Sequence, residues 1–413
     1  MTHLDKQISN AALDKISPQK ELTQEQQQLV NRIKSFCIDH IRDSRHSVFT
    51  IYGDAGTGKS VILSHLFDEL QLTSKTDNNS ILYDTNNYFL VNHPEVLKVY
   101  KQIADQSPYL YKKNYQRPTS FINQLDKQQR SADITIIDEA HLLLSKPDHY
   151  NNFYYTNQLT EIIKRSKVVI LVFDEHQVLR MKGFWTKARL NQLLQSYHHE
   201  SYQLRHQFRM TASDELIQWF NDFTAGNLHS LPANACHNYD FRIFSDAEQM
   251  RKTIVKRNQE VQLSRMVSTS GYPSTLDGGL HYINEGQFKM PWDQYNYTAT
   301  PWAEIPNTIN EVGSIYTCQG FDLNYAGIII GPPFILNPAT NQLQINLDKY
   351  TDVEAFKRRK DITDPQEITT IEKTMVMNSL NVLFKRGIFG TYLYAHDNNL
   401  RGRLIELFAQ IKK

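Results

Sequence analysis

Cysteine is scarce in this chain. Cys37, Cys236 and Cys318 are its only three, far apart in a sequence of 413 residues. They exclude a disulfide framework and a four-cysteine zinc site. Long hydrophobic runs are also missing. A membrane-spanning helix needs about 20 consecutive apolar residues, and Val168–Phe173 is only strand-length. The first residues, Met1–Lys6, lack the apolar stretch of a secretory signal. These absences lead to the expectation of a cytoplasmic protein with no membrane association. No sign of charge dominates: 45 Lys and Arg against 44 Asp and Glu give a net charge of +1. Near-neutrality neither requires nor excludes a nucleic-acid partner, because a basic groove can be balanced elsewhere. There is no tandem repeat, and the one low-complexity tract, Gln26–Gln28, sits inside a helical pattern. What remains is 40% hydrophobic and 22% charged, the balance of a soluble globular protein. The length is too great for one ordinary core, so two domains are expected.

Strand-like and helical segments alternate along the chain, predicting an α/β fold with mostly parallel sheets. Strands are expected at Val48–Tyr52, Ile81–Thr85, Ile134–Ile137, Val168–Phe173 and Tyr202–Leu204, and a helix at Asp214–Phe223. The turn-rich stretch Leu231–Asn238 follows. The expected organisation is therefore a polar tail over residues 1–20, a first domain over 21–235 and a second over 236–413. In the second, strands are expected at Phe241–Phe244, Arg265–Ser268, Ser314–Thr317, Ala326–Ile330 and Thr391–Tyr394. Ser270–Asn310, rich in Gly, Pro, Trp and Tyr, reads as an irregular insertion or surface hairpin.

The strongest chemical signal is Gly53-Asp54-Ala55-Gly56-Thr57-Gly58-Lys59-Ser60, which fits the phosphate-loop pattern G-x-x-x-x-G-K-[ST]. A β-branched apolar run precedes it and a helical run, Val61–Phe67, follows. Glycines let the backbone curl so that successive N–H groups point at phosphate oxygens, and the helix N-terminus adds partial positive charge. Lys59 is suited to reach the β- and γ-phosphates, and the Ser60 hydroxyl to ligate Mg2+. ATP and Mg2+ are the expected cofactors.

The second signal is Asp133–His141, an apolar strand ending in two carboxylates. Asp138 is placed to hold Mg2+, and Glu139 to polarise an attacking water. Val172–Gln177 ends another apolar strand, where Gln177 is a candidate to sense the γ-phosphate or the attacking water. Asp174 and His176 read equally well as ordinary strand-end residues. Arg209 and Arg386 are candidates to stabilise charge on a transferring phosphoryl group from across a domain cleft. Each taken alone is also simply a surface arginine.

The order of these motifs resembles the Schlafen-type DNA/RNA helicase domain family of bacterial P-loop ATPases, which is similar to superfamily-one helicases. The resemblance rests on Leu22–Gln26, Gly53–Ser60, Asp138–His141, Asp174–Gln177, Gln207–Arg209, Thr317–Asp322 and Lys385–Gly387. It rests also on the less generic Tyr88–His93, Arg117–Asn123, Gly313–Gly331, and Asn381–Gly387 followed by Gly390–Tyr394. It spans roughly residues 22–397. It implies two tandem RecA-like P-loop NTPase domains with ATP in the cleft between them. It further implies that Gln26 contacts adenine, that Thr317, Gln319, Gly320 and Asp322 form a coupling segment, and that Arg386 is an arginine finger. The chain departs from superfamily-one habit at Asp84–Tyr88, at Phe173 and at Lys385.

Tyr109–Arg117 interleaves aromatic and basic residues, a pattern that can stack bases and pair phosphates of single-stranded DNA or RNA. Phe356–Lys360 is a second basic cluster, and Tyr150–Tyr155 a third candidate contact. All three also read as solvated surface with buried aromatics. The leading expectation is an ATP-hydrolysing translocase or helicase stimulated by nucleic acid. The alternatives are a non-translocating ATP-dependent switch acting on a protein partner and, less well supported by the motifs, a phosphotransferase.

Overall fold

The computed structural model describes residues 12–409, apart from 205–206, 233, 275–278, 299, 319 and 358. The chain divides into two compact units, one over Ala11–Gln207 and the other containing Phe208–Lys413. This division falls earlier than the boundary expected near residue 235. The helix Asp214–Thr224 explains the difference. Its buried face of Leu216, Trp219, Phe220 and Phe223 packs on Phe241 and Phe384, which belong to the later unit.

The earlier unit is built on six strands: β1 (Ser47–Tyr52), β2 (Asn87–Val91), β3 (Tyr115–Gln116), β4 (Ala132–Asp138), β5 (Ser166–Phe173) and β6 (His198–Gln203). Their order is β3-β2-β4-β5-β1-β6, with every pairing parallel. A parallel sheet carries helices on its faces, so its inner strands are apolar throughout. All six residues of β1 and all five of β2 are accordingly buried. The helix Gln24–His40 begins at a reciprocal cap between Thr23 and Gln26 and buries Leu29, Val30, Ile33, Phe36 and Cys37 on one stripe. Ahead of it, Ala12–Lys15 forms a short helix and the Ser17 hydroxyl donates to Gln106 Oε1. The rest of the expected polar tail, residues 1–11, lies outside the described residues.

One strand expectation fails here. Ile81–Thr85 forms turns, with Asp84 at φ 55°. Ser74 holds this stretch through its carbonyl to Asp84 N–H and its hydroxyl to the Thr85 carbonyl. The strand starts at Asn87 instead, whose buried side-chain amide donates to Gln71 Oε1 and whose backbone carbonyl accepts from Asn114.

The later unit has a five-stranded parallel sheet in the order β11-β8-β12-β15-β7. Its strands are β7 (Asp240–Ile243), β8 (Ser264–Ser268), β11 (Val312–Gly313), β12 (Leu323–Ile330) and β15 (Gly387–Ala395). The Ser270–Asn310 region contains an antiparallel hairpin, β9 (Tyr282–Glu285) with β10 (Phe288–Pro291). A second hairpin pairs β13 (Phe334–Asn337) with β14 (Gln342–Ile345). The strand expected at Ser314–Thr317 is a helical turn, Ile315–Cys318. The strand stops at Gly313, where a Cβ would meet Trp302 at 2.6 Å and the Thr317 hydroxyl at 2.7 Å. Both units are thus parallel α/β sheets of the RecA-like kind. Among the described residues, no helix is long and apolar enough to cross a membrane.

Candidate functional site

The phosphate loop joins β1 to the helix Lys59–Thr76. Gly56 and Gly58 adopt φ 90° and 77°, the left-handed region that other residues enter at a cost. At Gly53 a Cβ would lie 2.7 Å from the Thr57 hydroxyl, so the loop closes only around glycine. Gly58 caps the helix without a side-chain oxygen, which leaves first-turn N–H groups for a ligand. Lys59 is buried and its Nζ donates to the Gly53 and Asp54 carbonyls, each at 2.6 Å. Uncapped amides, a buried ammonium and a curled backbone are the donors a triphosphate requires.

β4 carries the carboxylates to the same edge. The Ser60 hydroxyl donates to Asp138 Oδ2 at 2.9 Å. Burial raises the Asp138 carboxyl, helped by the neighbouring Glu139 charge, to about 6, against hydrogen bonds from Tyr100 and Ser60 that lower it. A desolvated carboxylate beside a serine hydroxyl is the donor set expected for Mg2+. Glu139 sits at φ 54°, left-handed for a residue with a long side chain, at a cost of about 1–2 kcal/mol. That conformation turns the chain sharply out of the strand, and the Glu139 carboxylate lies 3.0 Å from His141 Nε2. Such local strain is characteristic of functional sites.

β5 supplies the third side. The Gln177 amide donates to Asp174 Oδ2 at 2.7 Å, and the same oxygen lies 3.6 Å from Lys59 Nζ. Burial alone would raise the Asp174 carboxyl, but the charges of Lys59 and His141 hold it below its ordinary value. Asp174 is therefore the link between Lys59 and Gln177, a role the sequence left open. Tyr100 was not singled out from the sequence at all. Its buried hydroxyl donates to Asp138 Oδ2 at 2.7 Å, and burial followed by the Asp138 charge pushes its own ionisation well above the usual range. The only trace was a tyrosine within the apolar stripe Val96, Leu97, Val99, Ile103 of the helix Pro94–Ile103.

The structure thus brings together Gly53–Ser60, Asp138, Glu139, Asp174 and Gln177. Gln26 takes part in its helix cap, where its Oε1 accepts from the Thr23 N–H at 3.0 Å. In the later unit Arg209 Nε meets Asp322 Oδ1 at 2.5 Å, and its Nη1 donates to the Lys385 carbonyl. Arg386 is fully buried and donates to the carbonyls of Val382 (3.1 Å) and Phe321 (3.0 Å). Arg209, Asp322 and Arg386 therefore form one cluster within their own unit, beside Gly320 at φ 86°. Gln319 lies outside the described residues, as do Arg205, His206 and Arg358.

The nucleic-acid candidates divide. Tyr115 is a core residue packed against Phe67 and Phe89, whereas Tyr111 is exposed with Lys113 Nζ 5.4 Å from its ring centroid. Arg359 is buried and paired with Asp361, so it is not part of a solvated basic face. Tyr150 and Tyr154 are exposed, but Phe153 between them is buried.

Three known proteins illustrate what the chain is similar to. An uncharacterised protein of Saccharomyces cerevisiae is 38% identical over 427 residues, covering 96% of this chain and 93% of the yeast protein. The crystal structure of Pif1 helicase from Candida albicans matches at 13% identity and a TM-score of 0.36, over 95% of this chain and 100% of that one. Pif1 helicase from Bacteroides, in complex with ADP-AlF3 and single-stranded DNA, matches at 13% identity and a TM-score of 0.31, over 90% and 92%. At these scores the two helicases carry no weight for function. The family comparison does: residues 46–397 match the Schlafen group 3, DNA/RNA helicase domain, and with most of its length inside that match the chain belongs to this helicase-like family.

Proposed function

We propose that this protein binds ATP with Mg2+ at the Gly53–Ser60 loop and hydrolyses it, with single-stranded DNA or RNA stimulating turnover as in a translocase or helicase. The observation that carries the reading is the Ser60–Asp138 contact at 2.9 Å, beside a loop whose helix start is uncapped. Lys59 would hold the β- and γ-phosphates, while Ser60 and Asp138 would hold the cation. A bound magnesium ion would neutralise charge on the phosphate oxygens. Glu139 would take the proton of the attacking water, and Gln177, oriented by Asp174, would position that water. Arg209 and Arg386 are assigned the charge-stabilising role in the later unit, and Gly320 with Gln319 the coupling segment. Gln26 is assigned to the adenine.

ATP turnover by the full chain, measured with and without single-stranded DNA and RNA, tests the proposal. Turnover that rises with nucleic acid supports it. Turnover indifferent to every polymer removes the motor and leaves the ATPase. Absent ATP binding removes both.

One observation favours a second reading, a non-translocating ATP-dependent switch. Both arginines are engaged inside their own unit, Arg209 with Asp322 and Arg386 with two carbonyls, so a change in these contacts is available as the output of ATP binding. Partner capture that depends on a slowly hydrolysed ATP analogue and not on nucleic acid would favour the switch.

A further inference from the structure

The edge of the earlier sheet carries a cluster that the nucleotide site does not use. His40 ends the helix Gln24–His40, and His198 and Glu200 lie two apart on β6, so they project from one face of the strand. One donor atom from each of the three lies within 4.8 Å of the others. The His40 and His198 rings are 4.1 Å apart between centroids. We propose that His40, His198 and Glu200 form a site for a divalent transition-metal cation, with zinc as the preferred ion and water in the remaining coordination position.

Two imidazole nitrogens and a carboxylate oxygen are a donor set that zinc accepts in three-ligand sites. Bond lengths of about 2.0–2.1 Å put tetrahedral donors about 3.4 Å apart. The cluster must therefore contract by up to about 1.4 Å, which half-exposed and exposed side chains can do by rotation. An outer partner is already in place. His40 Nδ1 lies 2.7 Å from Asp43 Oδ2, so it is the proton-bearing nitrogen and Nε2 is left with the lone pair. A carboxylate that fixes the tautomer and orientation of a ligating histidine is a recurring feature of metal sites.

A histidine at a helix C-terminus is favourable to the helix dipole without any metal. That accounts for His40; on the exposed strand edge the His198 ring stacks on Phe36 and lies tilted at 37° to the His40 ring, so the two imidazoles are held side by side. Glu200 also pairs with Arg32 at 2.9 Å. That surface pair has small net value and does not prevent a carboxylate oxygen from turning to a cation. A bound ion would tie the end of the helix to the strand that completes the edge of the sheet.

β6 contains its own control. His199, between the two ligands, projects to the opposite face, where its Nε2 lies 3.0 Å from the Thr50 hydroxyl. The test is calorimetric titration of the chelator-stripped full chain with ZnCl2, in excess MgCl2 so that oxygen-only sites are filled. Saturable binding of one ion per chain is expected. His40→Ala and His198→Ala should each weaken it by at least about tenfold, and Asp43→Asn by about 10–100-fold. His199→Ala should leave it unchanged. Cobalt supplies a second readout, since a visible absorption band on CoCl2 addition should be lost in His198→Ala. No saturable binding by the wild-type chain, undiminished binding in the His40→Ala and His198→Ala variants, or equal loss in His199→Ala would overturn the proposal.

Discussion

Arg386→Ala separates what this arginine does for the fold from what it does for the reaction. The guanidinium is fully buried and donates to the carbonyls of Val382 and Phe321. Truncation leaves two buried acceptors without these donors, at about 1–3 kcal/mol each. The middle of that range, about 4 kcal/mol in total, lowers the melting temperature of a domain of 150–250 residues by roughly 8–16 °C, at about 2–4 °C per kcal/mol. The change is readable in one unit. Trp219, Trp292 and Trp302, three of the four tryptophans, lie after residue 208, so tryptophan fluorescence reports mainly on that part of the chain. If Arg386 also acts on the phosphoryl group, kcat falls by far more than ATP affinity, on the scale of the ~10³- to 10⁵-fold associated with an arginine finger. The carbonyl contacts of Nε and Nη1 account for the stability loss, and a contact with phosphate, as proposed, would account for the rate loss, so the two have separate origins. A variant that melts with the wild type would refute the buried tie. A variant that is destabilised yet hydrolyses ATP at the wild-type rate, at a temperature where both are folded, would refute the catalytic assignment while leaving the tie intact.

Lys59→Ala should abolish ATP binding or hydrolysis, and unchanged affinity together with unchanged turnover would remove the phosphate loop from the mechanism. Glu139→Gln should retain ATP binding and lose turnover by at least ~10²-fold, the scale of a lost general base. Normal hydrolysis by that variant would show that the base lies elsewhere. A pH effect is expected from Asp240. Burial alone would raise its carboxyl, but hydrogen bonds from Arg242 and Tyr392 and the nearby Arg257 outweigh this and hold it below its ordinary value. A depressed carboxyl stabilises the fold above its unfolded-state value, about 3.9, and that stability is lost as pH falls through the lower folded-state value. Urea midpoints taken between pH 7 and 3 should therefore fall less steeply in Asp240→Asn than in wild type, and identical slopes would count against the assignment.

The legible parts of this fold were those whose signals are local. The inner strands other than β2 read correctly because a parallel sheet buries both faces and writes uninterrupted apolar runs, as in Val168–Phe173. Ile81–Thr85 misled because it has the composition of a strand, while its conformation is set by Ser74, on the preceding helix. β2 opens with Asn87, which hides it from an apolar pattern: its buried amide donates to Gln71, 16 residues away, and to Thr85, and Asn114 bonds its backbone carbonyl. The stretch after Gly313 turns helical beside Trp302, which lies too close to Gly313 to admit a Cβ there, another contact that no local pattern records. The boundary near residue 235 was read from turn-forming residues, yet the division follows the side to which Trp219 and Phe220 turn their rings.

The candidate site shows the same division between local and distant causes. The eight residues of the loop are contiguous, and their glycines are required by backbone angles that any reader of the sequence can anticipate. Asp138 and Glu139 were legible because an apolar strand ending in two acids has few other uses beside a phosphate loop. Tyr100 was not, because its importance lies in a hydroxyl reaching Asp138 across 38 residues of chain. Nor was the state of the arginines. An arginine before a strand looks alike whether it projects into solvent or folds back on its own backbone, and Arg386 folds back. The consequence is mechanistic. Ser60 and Asp138 already contact one another, and Lys59, like Arg386, is held on two backbone carbonyls of its own unit. A contribution from the Arg386 Nε and Nη1 groups would likewise exchange their two carbonyl hydrogen bonds on release. Turnover limited by that release would make the rate depend on whatever shifts the Phe321–Asp322 segment, and nucleic acid acting there would raise kcat without tightening ATP binding.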